Sequence, residues 1–386
     1  MSAPRKGPKT RLVKNVLALS DASSMAELSD YELEHIFKWL SFPDKARVAQ
    51  VCQRWKSIIY QVSMWKGCHE YIKETAEMEL MAPSLVKRGI TEVCLSGGEK
   101  TKKGNFNTPS LLFLDQQLCH VTKIMAASVT SLDLYKVVRP VGFRVLQRLI
   151  SMPMPNLASL NLGKNFEVRS KTLIKIAENC RNLSVLVISN LMNIDGQDRI
   201  NLTRLSQLKR LVMEHGQHLT DSWFVGFILY APRKLVELSI RHIGISDIGV
   251  AQLAALKHLK ALDLRGCHCV TPNCIDLLSM SNSGISELRV SVCADMAMEK
   301  IGRSTLSISD LAVGCIYSCP ASDSGIDGLL NGRKPIRRLE ILGRSVISVN
   351  GMINLVNQSK DLVWLWINDE NKIDYARREA EAARNN

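Results

Sequence analysis

Apolar residues recur over the last two-thirds of this chain in one repeated phrase, with leucine or another apolar residue at the first, fourth and sixth positions. Ten copies are present, and successive copies start 23 to 28 residues apart. The alternation within each phrase predicts a short strand with one buried face, and the stretch that follows, as at 172–179, predicts a helix. The phrases begin at Val129, Leu157, Leu183, Leu208, Leu235, Leu259, Ile285, Ile308, Ile336 and Leu362.

A period of this length is typical of a leucine-rich repeat, whose units span roughly 20 to 29 residues. One unit is too small to bury its own apolar face, so units stack into a solenoid. The pattern therefore predicts an α/β fold, a curved leucine-rich repeat solenoid with parallel inner strands and outer helices. We expect about ten to twelve units over residues 90–370, with Ile90 to Leu95 as a first strand. Whether 96–128 is a repeat stays open in the sequence.

The segment from Leu259 to Cys267, followed by Val270 and Thr271, resembles the cysteine-containing subclass of leucine-rich repeats. The resemblance implies that Cys267 turns inward at the bend after the strand, where a thiol acts as a small hydrophobe. A zinc site is the alternative for the cluster formed by Cys267, His268, Cys269 and Cys274. Because the cluster lacks a paired C-x2-C framework, we predict no metal and no cofactor.

A second apolar pattern lies near the N-terminus, within residues 24–68. Its members recur at the spacing of one helical face, and a proline between the two groups ends one helix or starts the next. So much apolar surface on so short a segment predicts burial against something else, either the first repeat, as a cap, or a partner protein. The first group is Leu33, Ile36, Phe37 and Leu40, followed by Pro43, and the second is Val48, Val51, Cys52 and Trp55.

The run from Leu28 to Trp55, with its Val-Cys-x-x-Trp segment and a second tryptophan at Trp65, resembles an F-box. Together with the repeats, it makes the chain similar to the F-box/leucine-rich-repeat family. The resemblance implies a small all-helical F-box module that docks on the Skp adaptor, which bridges to the cullin scaffold of an SCF-type ubiquitin ligase. Matching positions give the adaptor-binding residues Leu28, Leu33, Ile36, Phe37, Leu40, Pro43, Val51 and Trp55.

The motif usually opens with Leu-Pro, whereas here Ser29 follows Leu28. Serine followed three residues later by Glu32 predicts a capping box at the start of the first helix. We therefore expect the helix to start without the proline.

The resemblance implies a substrate-recognition subunit that promotes ubiquitination and degradation of an unknown target protein, while a separate enzyme transfers ubiquitin. We expect the target on the concave face, to which side chains between the apolar anchors point. Arginine and tryptophan commonly anchor interfaces, and arginines at 241, 265 and 289 would also suit a phosphorylated target. The target-binding candidates are Arg210, Arg241, Arg265, Arg289, Arg338, Trp364 and Trp366.

Two alternatives stay open for these residues. The arginines can pair with acids on neighbouring strands, and the two tryptophans can pack under the charged C-terminal segment 371–386. A different function is also open, a leucine-rich repeat scaffold or inhibitor unrelated to ubiquitin, with the N-terminal helices as a cap.

Composition narrows the classes further. The chain has 386 residues, a formal net charge of +13 and eleven cysteines. No run reaches the roughly 18 apolar residues of a membrane-spanning helix, so no membrane partner is expected. Without an export signal the thiols are predicted to be reduced, in the cytoplasm or the nucleus, although the basic start also fits a transit peptide. No nucleic-acid-binding signature and no catalytic motif occurs, so we predict a non-catalytic protein-binding chain.

The predicted organisation is a basic disordered tail over 1–23, the F-box over 24–68, a helical linker over 69–89, the repeat array over 90–370 and the charged segment 371–386.

Overall fold

The computed structural model describes residues 25, 27–65, 69–73, 78–97, 111–137, 142–164, 166, 168–196, 198–281, 284–315 and 320–367. The predicted tail over 1–23 and the charged segment 371–386 lie outside these residues. The chain divides into two compact units. Unit 1 comprises Met1–Glu70 and Lys87–Ile90, and unit 2 comprises Tyr71–Val86 and Thr91–Asn386.

Unit 1 is helical, as predicted. Its elements are α1 (Asp30–Lys38), α2 (Phe42–Val48), α3 (Gln53–Ile59) and a 3-10 turn (Val62–Met64). Pro43 lies in the first turn of α2, which is one of its two predicted positions. The predicted helical face from Val48 to Trp55 is wrong, because α2 ends at Val48 and α3 begins only at Gln53. Cys52 instead caps α3, and its sulfur accepts a hydrogen bond from the Trp55 N–H at 3.4 Å.

The core of unit 1 forms where α1 packs against α3 and the 3-10 turn. Two aromatic rings meet there edge to face, Phe37 and Trp55, with centroids 5.3 Å apart. Lys45 is buried as well, and its ammonium donates to the Met64 carbonyl at 2.6 Å and lies 5.5 Å from the Trp65 ring centroid. A buried cation is tolerated here because an acceptor and an aromatic face replace its water.

The start of α1 confirms the predicted capping box. The Ser29 N–H donates to the Glu32 carboxylate at 2.8 Å, and the Glu32 N–H donates to the Ser29 hydroxyl at 3.3 Å. Two hydrogen bonds thus satisfy backbone donors that the first turn leaves without helical partners.

The predicted helical linker over 69–89 contains a strand, β1 (His69–Lys73), before its helix, α4 (Met78–Lys87). Among the described residues, twelve strands lie in one sheet in chain order, and the ten pairs from β2 to β12 are parallel. The later strands are β2 (Glu92–Gly97), β3 (Ser131–Val137), β4 (Ser159–Asn161), β5 (Val185–Ser189), β6 (Arg210–Thr220), β7 (Glu237–Gly244), β8 (Ala261–Leu264), β9 (Glu287–Val290), β10 (Asp310–Val313), β11 (Arg338–Ile341) and β12 (Trp364–Ile367).

One helix lies between each pair of successive strands from β2 onward. These helices are α5 (Leu111–Met125), α6 (Phe143–Leu149), α7 (Ser170–Asn179), α8 (Arg199–Thr203), α9 (Asp221–Tyr230), α10 (Asp247–Leu253), α11 (Asn273–Met280), α12 (Ala294–Arg303), α13 (Asp323–Asn331) and α14 (Val349–Gln358). The open question about 96–128 is answered in part, because β2 and α5 together form a first repeat. Residues 98–110 between them lie outside the described part.

The pairing register places the apolar anchors of successive repeats side by side, as in the row Leu311, Leu339 and Leu365. Neighbouring strands lie about 4.8 Å apart, whereas packed helices need about 8–10 Å. The helical side of each repeat is therefore wider than the strand side. This confirms the predicted curved leucine-rich repeat solenoid, with the strands on its inner, concave side.

Aspartates at helix starts join successive repeats. The Asp295 carboxylate accepts hydrogen bonds from the backbone N–H and the hydroxyl of Ser322 in the next repeat, at 2.8 and 2.5 Å. A Cβ on Gly325 would overlap that carboxylate, so glycine is required there. We call the set the aspartate ladder, and its members are the pairs Asp221–Ser246, Asp247–Thr271, Asp295–Ser322 and Asp323–Ser348.

Candidate protein-docking surfaces

Unit 1 divides the predicted adaptor-binding residues into two groups. Leu33 and Phe37 are 0% and 1% exposed, so they hold α1 in the core, and the prediction that they contact an adaptor does not agree with their position. Val51 is 63% exposed, because the turn between α2 and α3 directs it away from the core. The others described are partly exposed, namely Leu28, Ile36, Leu40 and Trp55. The side chain of Pro43 lies outside the described part.

Four large apolar side chains of unit 1 are exposed although sequence reasoning passed over them. Trp39, which follows α1, is 75% exposed. The others are Tyr31, Tyr60 and Val62. The sequence indicates them only by position, because they lie close to the buried residues Leu33, Phe37, Ile59 and Met64. Contiguous exposed apolar surface marks protein–protein contacts, so these side chains are candidates for such a contact.

A cleft between α2 and α3 adds shape to this surface. It has a volume of about 680 Å³. Its charged side chains are both cationic, with the Lys56 ammonium 5.9 Å and the Arg88 guanidinium 4.8 Å from the Tyr60 ring centroid. Such a cleft favours an apolar segment that carries an acid. It is lined by Ala46, Ala49, Gln50, Val51, Cys52, Gln53, Lys56, Ile59, Tyr60, Trp65 and Arg88.

On the concave face of unit 2, polar side chains fall into rows that run across the strands. The first row contains Arg210, Glu237, Ala261, Glu287, Asp310, Arg338 and Trp364, and the second contains Val212, Ser239, Asp263, Arg289, Ala312, Glu340 and Trp366. All seven predicted target-binding residues lie on this face. Five belong to these rows, and Arg241 on β7 and Arg265 just after β8 each lie two residues beyond the second row.

An ion network occupies the middle of the concave face. The Arg241 guanidinium donates to the Asp263 carboxylate at 2.7 Å and to Glu214 at 3.0 Å. Arg265 donates to the same Asp263 carboxylate at 2.9 and 3.0 Å, and the Ser189 hydroxyl donates to Glu214 at 3.0 Å. The network therefore spans strands β5 to β8.

Asp263 is the buried centre of the network. Burial alone would raise the pKa of its carboxyl, but hydrogen bonds and charge from Arg265, and then from Arg241, outweigh burial and hold that pKa below its ordinary value. The hydrogen bond with Asp263 in turn raises the pKa of Arg265. Asp263 is therefore ionised at neutral pH, and its two arginines are partly committed.

The remaining candidate arginines pair with acids more loosely. Arg210 lies 3.2 Å from Glu237, and Arg338 lies 3.3 Å from Asp310. Arg289 lies 3.7 Å from Glu287. The alternative prediction, pairing with acids on neighbouring strands, thus holds for Arg210, Arg241 and Arg338. Arg265 and Arg289 instead pair with acids two residues away on the same stretch of chain. Exposure remains greatest for Arg210 and Arg338.

Residues 33–69 match the family model described as F-box-like. The matched segment runs from within α1 through α2, α3 and the 3-10 turn of unit 1, and a leucine-rich repeat solenoid follows it. The chain therefore combines an F-box-like domain with a leucine-rich repeat solenoid. Its F-box-like domain presents Val51 and the α2–α3 cleft, and its repeat array presents the concave face.

Three solved structures are similar to this chain. The first is the complex of Rad7 and Elc1 from yeast, at 15% identity and a TM-score of 0.42 over 93% of this chain and 86% of that one. The second is the complex of TLR13 with ssRNA13, at 13% and 0.36 over 80% and 45%. The third is the internalin InlF from Listeria monocytogenes, at 14% and 0.36 over 75% and 79%.

The last described strand of the repeat array presents two tryptophans. Trp364 and Trp366 are both more than a third exposed. The Arg338 guanidinium lies 4.9 Å from the Trp364 ring centroid. The predicted packing of these rings under 371–386 concerns residues outside the described part, so it stays a prediction.

The cysteine cluster of the repeat array follows the repeat register. Cys267 is buried, its thiol donates to the Ile240 carbonyl at 3.1 Å, and burial raises its pKa to about 11. Cys274 is buried too, whereas Cys269 is exposed. Across the residues that the structure describes, no three His, Cys, Asp or Glu side chains come together as metal ligands. Within the same residues, every helix falls short of the length and hydropathy that a membrane span needs.

Proposed function

We propose that this chain is the substrate-recognition subunit of an SCF-type cullin–RING ubiquitin ligase. The F-box-like domain binds a Skp-type adaptor, which bridges to a cullin, and the concave face holds a target protein that is then ubiquitinated and degraded. The observation that carries the proposal is the F-box-like match at 33–69 on a unit whose Val51 and Trp39 remain exposed.

No catalytic group is needed from this chain. Holding a target near a conjugating enzyme raises the effective concentration of its lysines at the reacting thioester. Such positioning converts a bimolecular encounter into a nearly unimolecular step. The repeat array supports the role because a long, rigid face holds a protein in one orientation.

We propose that the adaptor contacts the exposed side chains and not the core ones. Val51 lies in the turn between α2 and α3 and lines the α2–α3 cleft, beside the cations Lys56 and Arg88. An adaptor segment that combines apolar and acidic residues would complement it.

The full-length chain with Val51→Glu tests the adaptor half of the proposal. A charge at this position opposes an apolar contact, so we expect capture of a purified Skp-type adaptor to fall at least about tenfold. The matched control is Ile248→Glu, which changes a similarly exposed residue in the repeat array and should leave capture unchanged. Equal capture by both variants would overturn the adaptor assignment and favour the scaffold alternative.

The target half is tested in cells with the proteasome inhibited. Proteins held by the wild-type chain should carry ubiquitin, whereas those held by Val51→Glu should be bound but not ubiquitinated. Bound proteins that carry equal ubiquitin in both cases would contradict the proposal.

A further inference from the structure

Two short side chains lie diagonally on neighbouring strands of the concave face, Ser239 on β7 and Ala261 on β8. The side chains beside them are larger. In the strand register Ala261 lies between Glu237 and Glu287, and Ser239 lies next to Asp263. The short pair leaves a depression of about 40 Å³. It is lined by Arg210, Glu237, Leu238, Ser239, Arg241, Ala261, Asp263 and Arg289.

The Ser239 hydroxyl lies at this depression without a hydrogen-bond partner. The residue is only 9% exposed, and among the described residues nothing pairs with its Oγ atom. A buried hydroxyl that makes no hydrogen bond costs free energy, and most such groups in proteins are paired. The Oγ atom is almost inaccessible in this arrangement, so an acceptor from another molecule reaches the O–H once the side chain turns into the depression.

The charges around the depression favour an anionic acceptor. Three arginines and two acids line it, but Asp263 is already held by Arg241 and Arg265. Arg289 makes only a 3.7 Å contact with Glu287. Each guanidinium has five N–H donors, so the loosely paired arginines retain donors for a second acceptor.

The volume of the depression limits which anionic group fits it. A single water molecule needs roughly 10–15 Å³ of such space, so the depression holds about three non-hydrogen atoms, the number in a carboxylate group. A phosphate ester has more atoms and a tetrahedral shape. A neutral carbonyl would accept from Ser239 but would gain less from the arginines.

We propose that this depression is a carboxylate-binding subsite, in which an aspartate or glutamate side chain of the target accepts hydrogen bonds from Ser239 and from Arg289 or Arg210. The inference deepens the proposed function and rests on its second half, that the concave face holds a target. It does not depend on adaptor binding. The incoming carboxylate competes with Glu237 for Arg210. Its attraction to the arginines is electrostatic, so added salt screens that attraction and weakens binding.

The test uses the full-length chain and pools of short peptides with randomised flanks and one fixed central residue. Four pools carry Asp, Glu, Asn or phosphoserine at that position. We expect the chain to retain the Asp or Glu pool several-fold better than the other two. Ser239→Ala should lower that retention about tenfold, as expected for a lost hydrogen bond to a charged acceptor, and Arg289→Gln should remove the preference for Asp or Glu over Asn.

A stability measurement separates binding from structure. Because nothing among the described residues pairs with the Ser239 hydroxyl, Ser239→Ala should leave the melting temperature unchanged or raise it slightly. The matched control is Ser159→Ala, a serine on β4 of the same face, which should leave peptide retention unchanged. A lowered melting temperature for Ser239→Ala would indicate a structural role and overturn the inference.

Other outcomes are equally decisive. Equal retention of the Asp and Asn pools, or unchanged retention by Ser239→Ala, would overturn the carboxylate subsite, and strongest retention of phosphoserine would replace it with a phosphate site. Val51→Glu should retain peptides normally, so failure of this test with adaptor capture intact removes the subsite and leaves the proposed function standing. If only the adaptor-capture experiment fails, the adaptor assignment is lost and the carboxylate subsite still stands.

Discussion

The two candidate surfaces solve the problem of exposure in opposite ways. The F-box-like domain exposes apolar groups such as Trp39 and Val51, which water solvates poorly. The concave face exposes charged groups that are already paired with one another, as Arg241 is with Asp263. An apolar surface gains free energy on contact with many partners, whereas paired charges reward only a partner that offers matching groups. The first surface therefore suits a common adaptor, and the second suits a selected target.

The largest expected effect separates core from surface within the F-box-like domain. Phe37→Ala should lower the free energy of unfolding of unit 1 by about 3–5 kcal/mol, as for other buried aromatic truncations. Urea titration followed by tryptophan fluorescence measures it. The exposed control Val51→Ala should change stability by less than about 0.5 kcal/mol. Native stability in Phe37→Ala together with lost adaptor capture would return Phe37 to the docking surface.

Next in size is the centre of the ion network. Asp263→Asn should cost about 3 kcal/mol, at the low end for a broken buried ion pair, because Arg241 and Arg265 remain 32% and 30% exposed. Thermal unfolding at neutral pH measures the loss.

The same substitution has a pH dependence. The pKa of Asp263 is lowered on folding, so its contribution to stability is present above its ordinary pKa of 3.8 and is lost as the pH falls through the lower folded value. Wild type and Asp263→Asn should thus approach equal stability only in strong acid. A difference that stays constant down to that range would contradict the ion network.

A smaller effect is expected in the aspartate ladder. Asp295→Ala removes two hydrogen bonds to Ser322 of the next repeat and should cost about 2 kcal/mol. The control Asp276→Ala removes a partly exposed ion pair with Lys300 and should cost less than about 1 kcal/mol. Chemical denaturation of both variants compares them, and equal losses would mean that the ladder adds nothing beyond surface charge.

The smallest effect concerns the start of α1. Ser29→Ala should destabilise the F-box-like domain by about 1 kcal/mol, as for other helix caps. The backbone hydrogen bond and the side-chain hydrogen bond from Ser29 lower the pKa of Glu32. Only the hydrogen bond from the Ser29 hydroxyl to the Glu32 carboxylate makes the effect of the substitution depend on pH, so this part is present above the ordinary pKa of 4.5 and fades as the pH falls through the lowered value. Circular dichroism against pH should show the difference between the two proteins shrinking in acid but not vanishing, because the hydroxyl still accepts from the Glu32 N–H.

The repeat array was predictable from the sequence because its apolar pattern is local. The strand phrases repeat within six residues, so the anchors from Leu132 to Ile367 and the parallel register follow from the sequence. The break between α2 and α3 did not follow, because residues 48–55 fit a helical period although the chain turns between them. That single turn decides why Val51 is exposed.

The sequence predicted where the candidate residues lie but not which acids pair with them. All seven residues lie on the concave face, yet the acid that holds Arg241 lies 22 residues away in sequence, a separation that reflects the repeat and not a local motif. The aspartate ladder was missed as well. Its signal is the short phrase Ser-Asp-x-Gly at 246–249 and again at 322–325.

The ladder also limits how such a chain changes during evolution. Each carboxylate binds the backbone at the helix start of the following coil, although the paired residues lie 24 to 27 positions apart in the sequence. The loop between two helix starts can therefore change length, whereas a residue inserted or deleted at a helix start itself would break the contact between two coils. Duplicating or removing an entire coil leaves these hydrogen-bonded contacts between coils intact. Length is therefore free to vary in steps of a full coil, and variation of any finer grain is confined to the loops away from these joints.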